Sequence, residues 1–168
     1  MSTAKLLPLL LLLLAVAVAA AATATPIQAV VEGIVYCQSC SCRGSWSLRD
    51  SKPLPAAKIS VTCRDAKNRP NFYKVAPTNS DGYFYCPMDA VNATDYYKGD
   101  PVEACYVRLL SSADGKCNHL TNINYGLTGA KLKKEDKTKK GLGYDTVIYA
   151  VKSLAFRPAS CTPTHRYQ

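Results

Sequence analysis

The sequence predicts an all-β fold: a disulfide-stapled β-sandwich or small β-barrel of six to seven short strands with a long basic loop. Three observations carry this. Short runs rich in β-branched and aromatic residues are divided by Gly, Pro and Asn turns. No segment sustains a helical periodicity with caps. Eight cysteines, an even number, lie downstream of an export signal, and an oxidising compartment converts such sets into bridges.

The export signal comes first in the chain. Lys5 is the only charge before an apolar run from Leu6 to Ala22, and Ala22-Thr23-Ala24 is a small-residue cleavage site. Residues 1–24 therefore read as a secretory signal peptide, and residues 25–168 as one domain. The run is about as long as the shortest membrane span. No second apolar stretch follows it, so the expected product is soluble and extracellular, with no membrane contact after cleavage. The 168-residue chain carries a net charge of +9, and losing Lys5 would leave +8. A basic exported protein meets polyanions such as acidic polysaccharide; nucleic acid is not expected there.

Each strand has its own signal. Val30 to Tyr36 is β-branched and runs into the cysteine cluster. Ser51 to Ala56, with two prolines, reads as a turn. Lys58 to Cys63 alternates strictly, placing Ile59, Val61 and Cys63 on one face. Asn71 to Val75 is weaker. Asn79-Ser80-Asp81-Gly82 is a turn opening onto the aromatic Tyr83 to Cys86. Ala104 to Leu110, Asp145 to Val151 and Ser153 to Phe156 complete the set, and Pro87 to Tyr97 has room for a short helical turn. From Asn118 to Gly143 the composition turns small, polar and then lysine-rich, which reads as the long basic loop.

The stretch Tyr36 to Gly44 places Cys37, Cys40 and Cys42 within six residues. A zinc ribbon would need a second close pair, and Cys63, Cys86, Cys105, Cys117 and Cys161 stand alone, with His119 and His165 at no ligand-like spacing. No metal and no cofactor are expected. A redox pair wants a helix start after the first cysteine, and the flank here is rich in Ser and Gly. Long-range disulfides remain.

The ordered elements Val31-x-Gly33-x-Val35-Tyr36-Cys37-x-x-Cys40, Pro55-Ala56-Ala57-x-Ile59-x-Val61-x-Cys63, Thr78-x-x-x-Gly82-Tyr83-Phe84, Cys105-x-Val107-x-Leu109, Cys117, Gly126-x-x-Gly129-Ala130 and Leu154-Ala155-Phe156-Arg157-Pro158-x-x-Cys161 span Val30 to Cys161. Together they resemble the pollen Ole e I allergen and extensin family of secreted plant proteins, including the cysteine-containing domain of non-classical arabinogalactan and proline-rich wall proteins. The resemblance implies a β-barrel or sandwich with Cys37–Cys117, Cys40–Cys161 and Cys63–Cys105 paired, in a cell-wall or apoplast setting. Cys42 and Cys86 depart from that six-cysteine pattern and are paired with each other by elimination. Some family members carry a Pro- or His-rich arm before the domain. This sequence does not, which argues against wall cross-linking through such an arm.

No catalytic residue is expected. A Ser or Cys nucleophile needs a nearby base, and His119 and His165 read as solvated. Asp65, Asp81, Asp100 and Asp114 read as turn formers. Binding has better support. Lys131, Lys133, Lys134, Lys137, Lys139 and Lys140 oppose only Glu135 and Asp136, a local charge of +4. That run suits a pectin-like or arabinogalactan wall polysaccharide, through several weak, salt-screened contacts at once. The alternative partner is a protein receptor, with the chain acting as a ligand or growth regulator through surface loops. Tyr96, Tyr97 and Tyr144 are the tyrosines expected to be exposed; Trp46 is expected to pack on a disulfide, with a sugar-stacking platform as the alternative. Asn92-Ala93-Thr94 is an N-glycosylation sequon.

Overall fold

A computed structural model of the chain describes residues 27–88, 100–141 and 144–161, with Lys137 described by its backbone alone. Among these residues are eleven strands: β1 (Ile27–Cys37), β2 (Lys52–Pro53), β3 (Lys58–Arg64), β4 (Pro70–Pro77), β5 (Tyr83–Met88), β6 (Cys105–Ser111), β7 (His119–Leu120), β8 (Ala130–Lys131), β9 (Lys133–Lys140), β10 (Asp145–Ala150) and β11 (Leu154–Arg157). One short α-helix, α1 (Pro101–Ala104), starts where Asp100 accepts from the Val102 amide, and single 3-10 turns cover Cys40–Cys42 and Ile123–Tyr125. The signal peptide, the sequon at Asn92, Tyr96, Tyr97, His165 and most of the Pro87–Tyr97 stretch lie outside the described residues.

The strands form two sheets around one core. β1 is the middle of the larger sheet. On one edge it runs parallel to β10 (Ile27 opposite Asp145 to Glu32 opposite Ala150) and then to β11 (Val35 opposite Leu154 to Cys37 opposite Phe156). The Val151 amide donates to the Glu32 carbonyl and the Gln38 amide to the Phe156 carbonyl, so β10 and β11 lie end to end along this edge. Val35 uses the other edge, donating to Gly82 and accepting from Leu54, where β5 and β2 run antiparallel to β1. β9 pairs outside β10, and β7 outside β11. The smaller sheet is antiparallel in the order β4, β3, β6, β8. The two sheets make a sandwich stapled by disulfides; no barrel closes.

Alternation builds the core. Val31 and Val35 of β1, Phe84, Cys86 and Met88 of β5, Ile59, Val61 and Cys63 of β3, and Cys105, Val107 and Leu109 of β6 all join one buried cluster. β3 departs from simple alternation: Ser60 and Thr62 are also buried. Residues directly opposite share a face, so Ser60 is shaded by Val75 and Arg108, and Thr62 by Tyr73 and Tyr106. Gly33 sits opposite Phe84, and the ring packs where a Cβ would stand.

The expected basic loop is a strand instead. Lys133–Lys140 pairs antiparallel with β10, with a bulge between Val147 and Tyr149. Leu132, 3% exposed, sits in the core between β8 in one sheet and β9 in the other. That buried crossing residue anchors the basic segment and lets hydrogen bonding continue into β9.

The turn before β5 depends on Asn79 and Gly82. The Asn79 side chain accepts from the Asp81 and Tyr83 amides, and the Gly82 amide returns to the Asn79 carbonyl. Gly82 has φ +68°, and a Cβ there would collide with the Val35 carbonyl of β1. Gly82→Ala should therefore lower unfolding free energy by more than about 2 kcal/mol in a urea titration of the oxidised protein.

Candidate functional site

The end of β1 is the most constrained point of the molecule. Disulfides join Cys37 to Cys117 and Cys40 to Cys161, with Cα atoms 6.0 and 5.6 Å apart, and Cys63 to Cys105 across β3 and β6. The first two fix the chain just before β7 and just after β11. The Cys42–Cys86 bridge expected by elimination is not formed. Cys86 lies opposite Val31, about 20 Å of strand before Cys37, and the turn holding Cys42 begins beyond that. Disulfide geometry needs Cα atoms within about 7 Å. Cys42 instead sits in a small ring of hydroxyls. Hydrogen bonds from Ser47 and Ser39 hold its thiol below the usual cysteine range.

Gln38 lies between the two staples and is 2% exposed. Its two Nε2 hydrogens serve the carbonyls of Cys42, Ser45 and Ser47, each at 3.0 Å, one hydrogen being shared between two of them. One side chain thus holds the loop that carries Trp46. The sequence led us to expect this indole against a disulfide; the contact the structure records is with another ring. The indole is 55% exposed and meets the Tyr125 ring edge-on at 5.5 Å between centroids. Tyr125, 57% exposed, has φ +66°, and its neighbour Asn124 has φ +50°. The Asn124 amide, donating to the Ser153 carbonyl at 2.7 Å, keeps this turn in place.

Between these elements lies a groove of about 300 Å³, bounded by Gln38, Trp46, Leu120, Asn122, Ile123 and Arg157. Sequence reasoning passed over it because its lining comes from four separate places in the chain. The one available signal was a lone tryptophan beside two staple cysteines.

The β9 lysines occupy a different part of the same sheet edge. Lys133, Lys134, Lys139 and Lys140 are exposed on β9, and Lys131 is exposed on β8 in the other sheet. Lys134 shares a face with Tyr149, while Lys133 and Lys139 share the opposite face with Ala150 and Thr146. Positive charge therefore lines both sides of the rim. No ion pair holds these side chains among the described residues, where Asp65–Arg69 at 2.7 Å is the pair found. Tyr144, beside the β9–β10 turn, is 42% exposed, as expected.

The acidic residues do local structural work. Asp65 accepts from the Lys67 and Arg69 amides and from the Arg69 guanidinium, and the Arg69 amide bond leads in holding it below the usual carboxylate range. Asp114 accepts from the Lys116 amide. Glu32 accepts from the Tyr83 hydroxyl at 2.7 Å; burial, with that bond second, pushes the phenol upward. His119 is exposed on β7. Among the described residues no group of three or more His, Cys, Asp or Glu side chains converges as a metal site would require.

No family model matches the chain. Its sequence is 29% identical over 136 residues to non-classical arabinogalactan protein 30 of Arabidopsis thaliana, covering 76% of this chain and 52% of that protein. It is 31% identical over 104 residues to the pistil-specific extensin-like protein of Nicotiana tabacum, covering 62% and 22%. Proline-rich protein 3 of Arabidopsis thaliana is 30% identical over 111 residues, covering 63% and 30%. The chain spans about half, or less, of the length of these relatives. In structure it superposes on the major plantain pollen allergen Pla l 1 with a TM-score of 0.56 at 22% identity, covering 82% of this chain and 98% of that one. The resemblance read from the sequence holds in both kinds of comparison, and the allergen shares the fold.

Two measurements bear on this region. A non-reducing peptide map should contain the Cys37–Cys117, Cys40–Cys161 and Cys63–Cys105 links and no Cys42–Cys86 peptide. Gln38→Leu removes three contacts to carbonyls and should cost about 2–4 kcal/mol in denaturant unfolding.

Proposed function

We propose that this chain, which shares its fold with a pollen allergen and its sequence with arabinogalactan and extensin-like proteins of plants, is a secreted, non-catalytic protein of the cell wall or apoplast that binds acidic wall polysaccharide along the rim formed by β9. In this reading residues 1–24 are removed on export, and Asn92 carries a glycan. The names of the relatives support the wall setting. The observation that carries the binding reading is the rim itself: Lys133, Lys134, Lys139 and Lys140 are exposed along β9, with Lys131 exposed on the preceding β8, against Glu135 and Asp136.

The physics of such a rim sets its behaviour. Each exposed lysine contributes little alone, because water and salt screen it. A polymer with repeated carboxylates engages several at once, and its effective concentration at each next lysine is high. A pectin-like chain meets this requirement better than a neutral one. The rim extends along a strand, so an extended polymer can follow it without folding.

Retention on immobilised polygalacturonate should be strong at low salt and fall steeply between about 50 and 300 mM salt. Replacing Lys131, Lys133, Lys134, Lys137, Lys139 and Lys140 by Gln should remove most of that retention while leaving the disulfide map unchanged. Full retention by this variant would take the rim out of the mechanism. Salt-insensitive capture of a protein, with no polysaccharide retention, would favour a receptor ligand instead.

A further inference from the structure

The groove beside Trp46 has chemistry that the lysine rim does not use. Its floor is apolar where Ile123 is buried, and its rim offers the half-exposed indole of Trp46 and the side chain of Leu120, 40% exposed. Its polar groups are incompletely used within the protein. Gln38 commits Nε2 to three carbonyls, which leaves Oε1 as an acceptor with no hydrogen-bond partner among the described residues, although the residue is 2% exposed. Asn122 commits Oδ1 to the Leu127 and Thr128 amides and the Thr128 hydroxyl, which leaves both Nδ2 hydrogens as donors. Among the described residues the Arg157 guanidinium is engaged in no hydrogen bond or ion pair.

An aromatic face, a carbonyl acceptor, an amide donor and an unengaged guanidinium around about 300 Å³ suit one small amphipathic ring carrying a negative charge. A pyranose ring has an apolar face of C–H groups for the indole and hydroxyls at its edge for Gln38 and Asn122. A carboxylate on that ring matches the planar fork of Arg157. We propose that the groove is a binding subsite for a single uronic acid residue, held by Trp46, Arg157, Asn122 and Gln38.

The site is built in advance. Cys37 and Cys40 flank Gln38; Cys117 precedes β7, which bears Leu120; Cys161 follows β11, which bears Arg157. Each wall is tied to the next by a covalent bridge, so little ordering remains to be done on binding. The subsite stands apart from the lysine rim. Leu120 lies opposite Phe156 and Lys133 opposite Ala150, and these face Cys37 and Glu32 of β1, a separation of about 17 Å along that strand.

Trp46 is the single tryptophan, so its emission reports this groove directly. The experiment titrates the oxidised full-length exported protein with trigalacturonate and, in parallel, with a neutral galactotriose. The expected result is a saturable change in emission with the acidic sugar. Arg157→Gln should weaken it by about tenfold. Leu120→Glu, a change at an exposed rim position that places a like charge beside the ring, should weaken it as well. The variant with all six lysines changed to Gln should retain the response, which separates this subsite from the rim. No saturable change, an equal response to the neutral sugar, or a response unaltered in both Arg157→Gln and Leu120→Glu with disulfides intact would each overturn the proposal.

Discussion

The parallel pairing of β1 with β10 and β11 is the constraint on which the rest of the structure depends. It joins the first strand to the last two, so nearly the whole described chain must be laid down before the pairing can close. Such closure is entropically costly, and hydrogen bonds over a few residues are weak compensation. Cys40–Cys161, with 121 residues of separation, acts on that cost directly. A bridge of this span restricts the unfolded chain by about 4–5 kcal/mol in the loop-entropy account. Cys37–Cys117 repeats the device at the same end of β1. Cys63–Cys105 is a different kind of bridge: it links strands already opposite one another in the smaller sheet.

The same constraint determines where a binding site can form. Loops at the end of a sheet ordinarily move more than its strands do. Here the loop from Cys40 to Ser47 begins at one staple and is held from beneath by a buried amide. The turn that presents Tyr125 is fixed by Asn122 and Asn124 side chains. Rigid backbone therefore supports the exposed aromatic pair, which is the arrangement a small rigid ligand rewards.

The fold was largely legible in the sequence because its longer strands follow simple rules. Ile59, Val61 and Cys63 alternate as a half-buried strand should, and Asn79 to Gly82 forms the turn its residues predict. β9 was not legible as a strand. Lysine, aspartate and glutamate have low β-propensity, and only pairing with β10 and the burial of Leu132 hold that segment extended. β2, β7 and β8 are two residues each, too short for any period. Elimination misled the pairing of Cys42 with Cys86, since an even count says nothing about distance. The lysines were read as one patch on a loop, whereas strand alternation distributes those of β9 on both faces.

β9 is also the outermost strand of its edge among the described residues, with β10 on one side only. Its far side is a row of backbone donors and acceptors, the template by which proteins zip into aggregates. The lysines standing above and below that row make a second copy an unwelcome neighbour, since like charges would meet at close range along its whole length. The chain's basicity thus has a housekeeping consequence independent of any ligand: it lets an extended, unprotected margin of sheet exist at high protein concentration without recruiting its own kind.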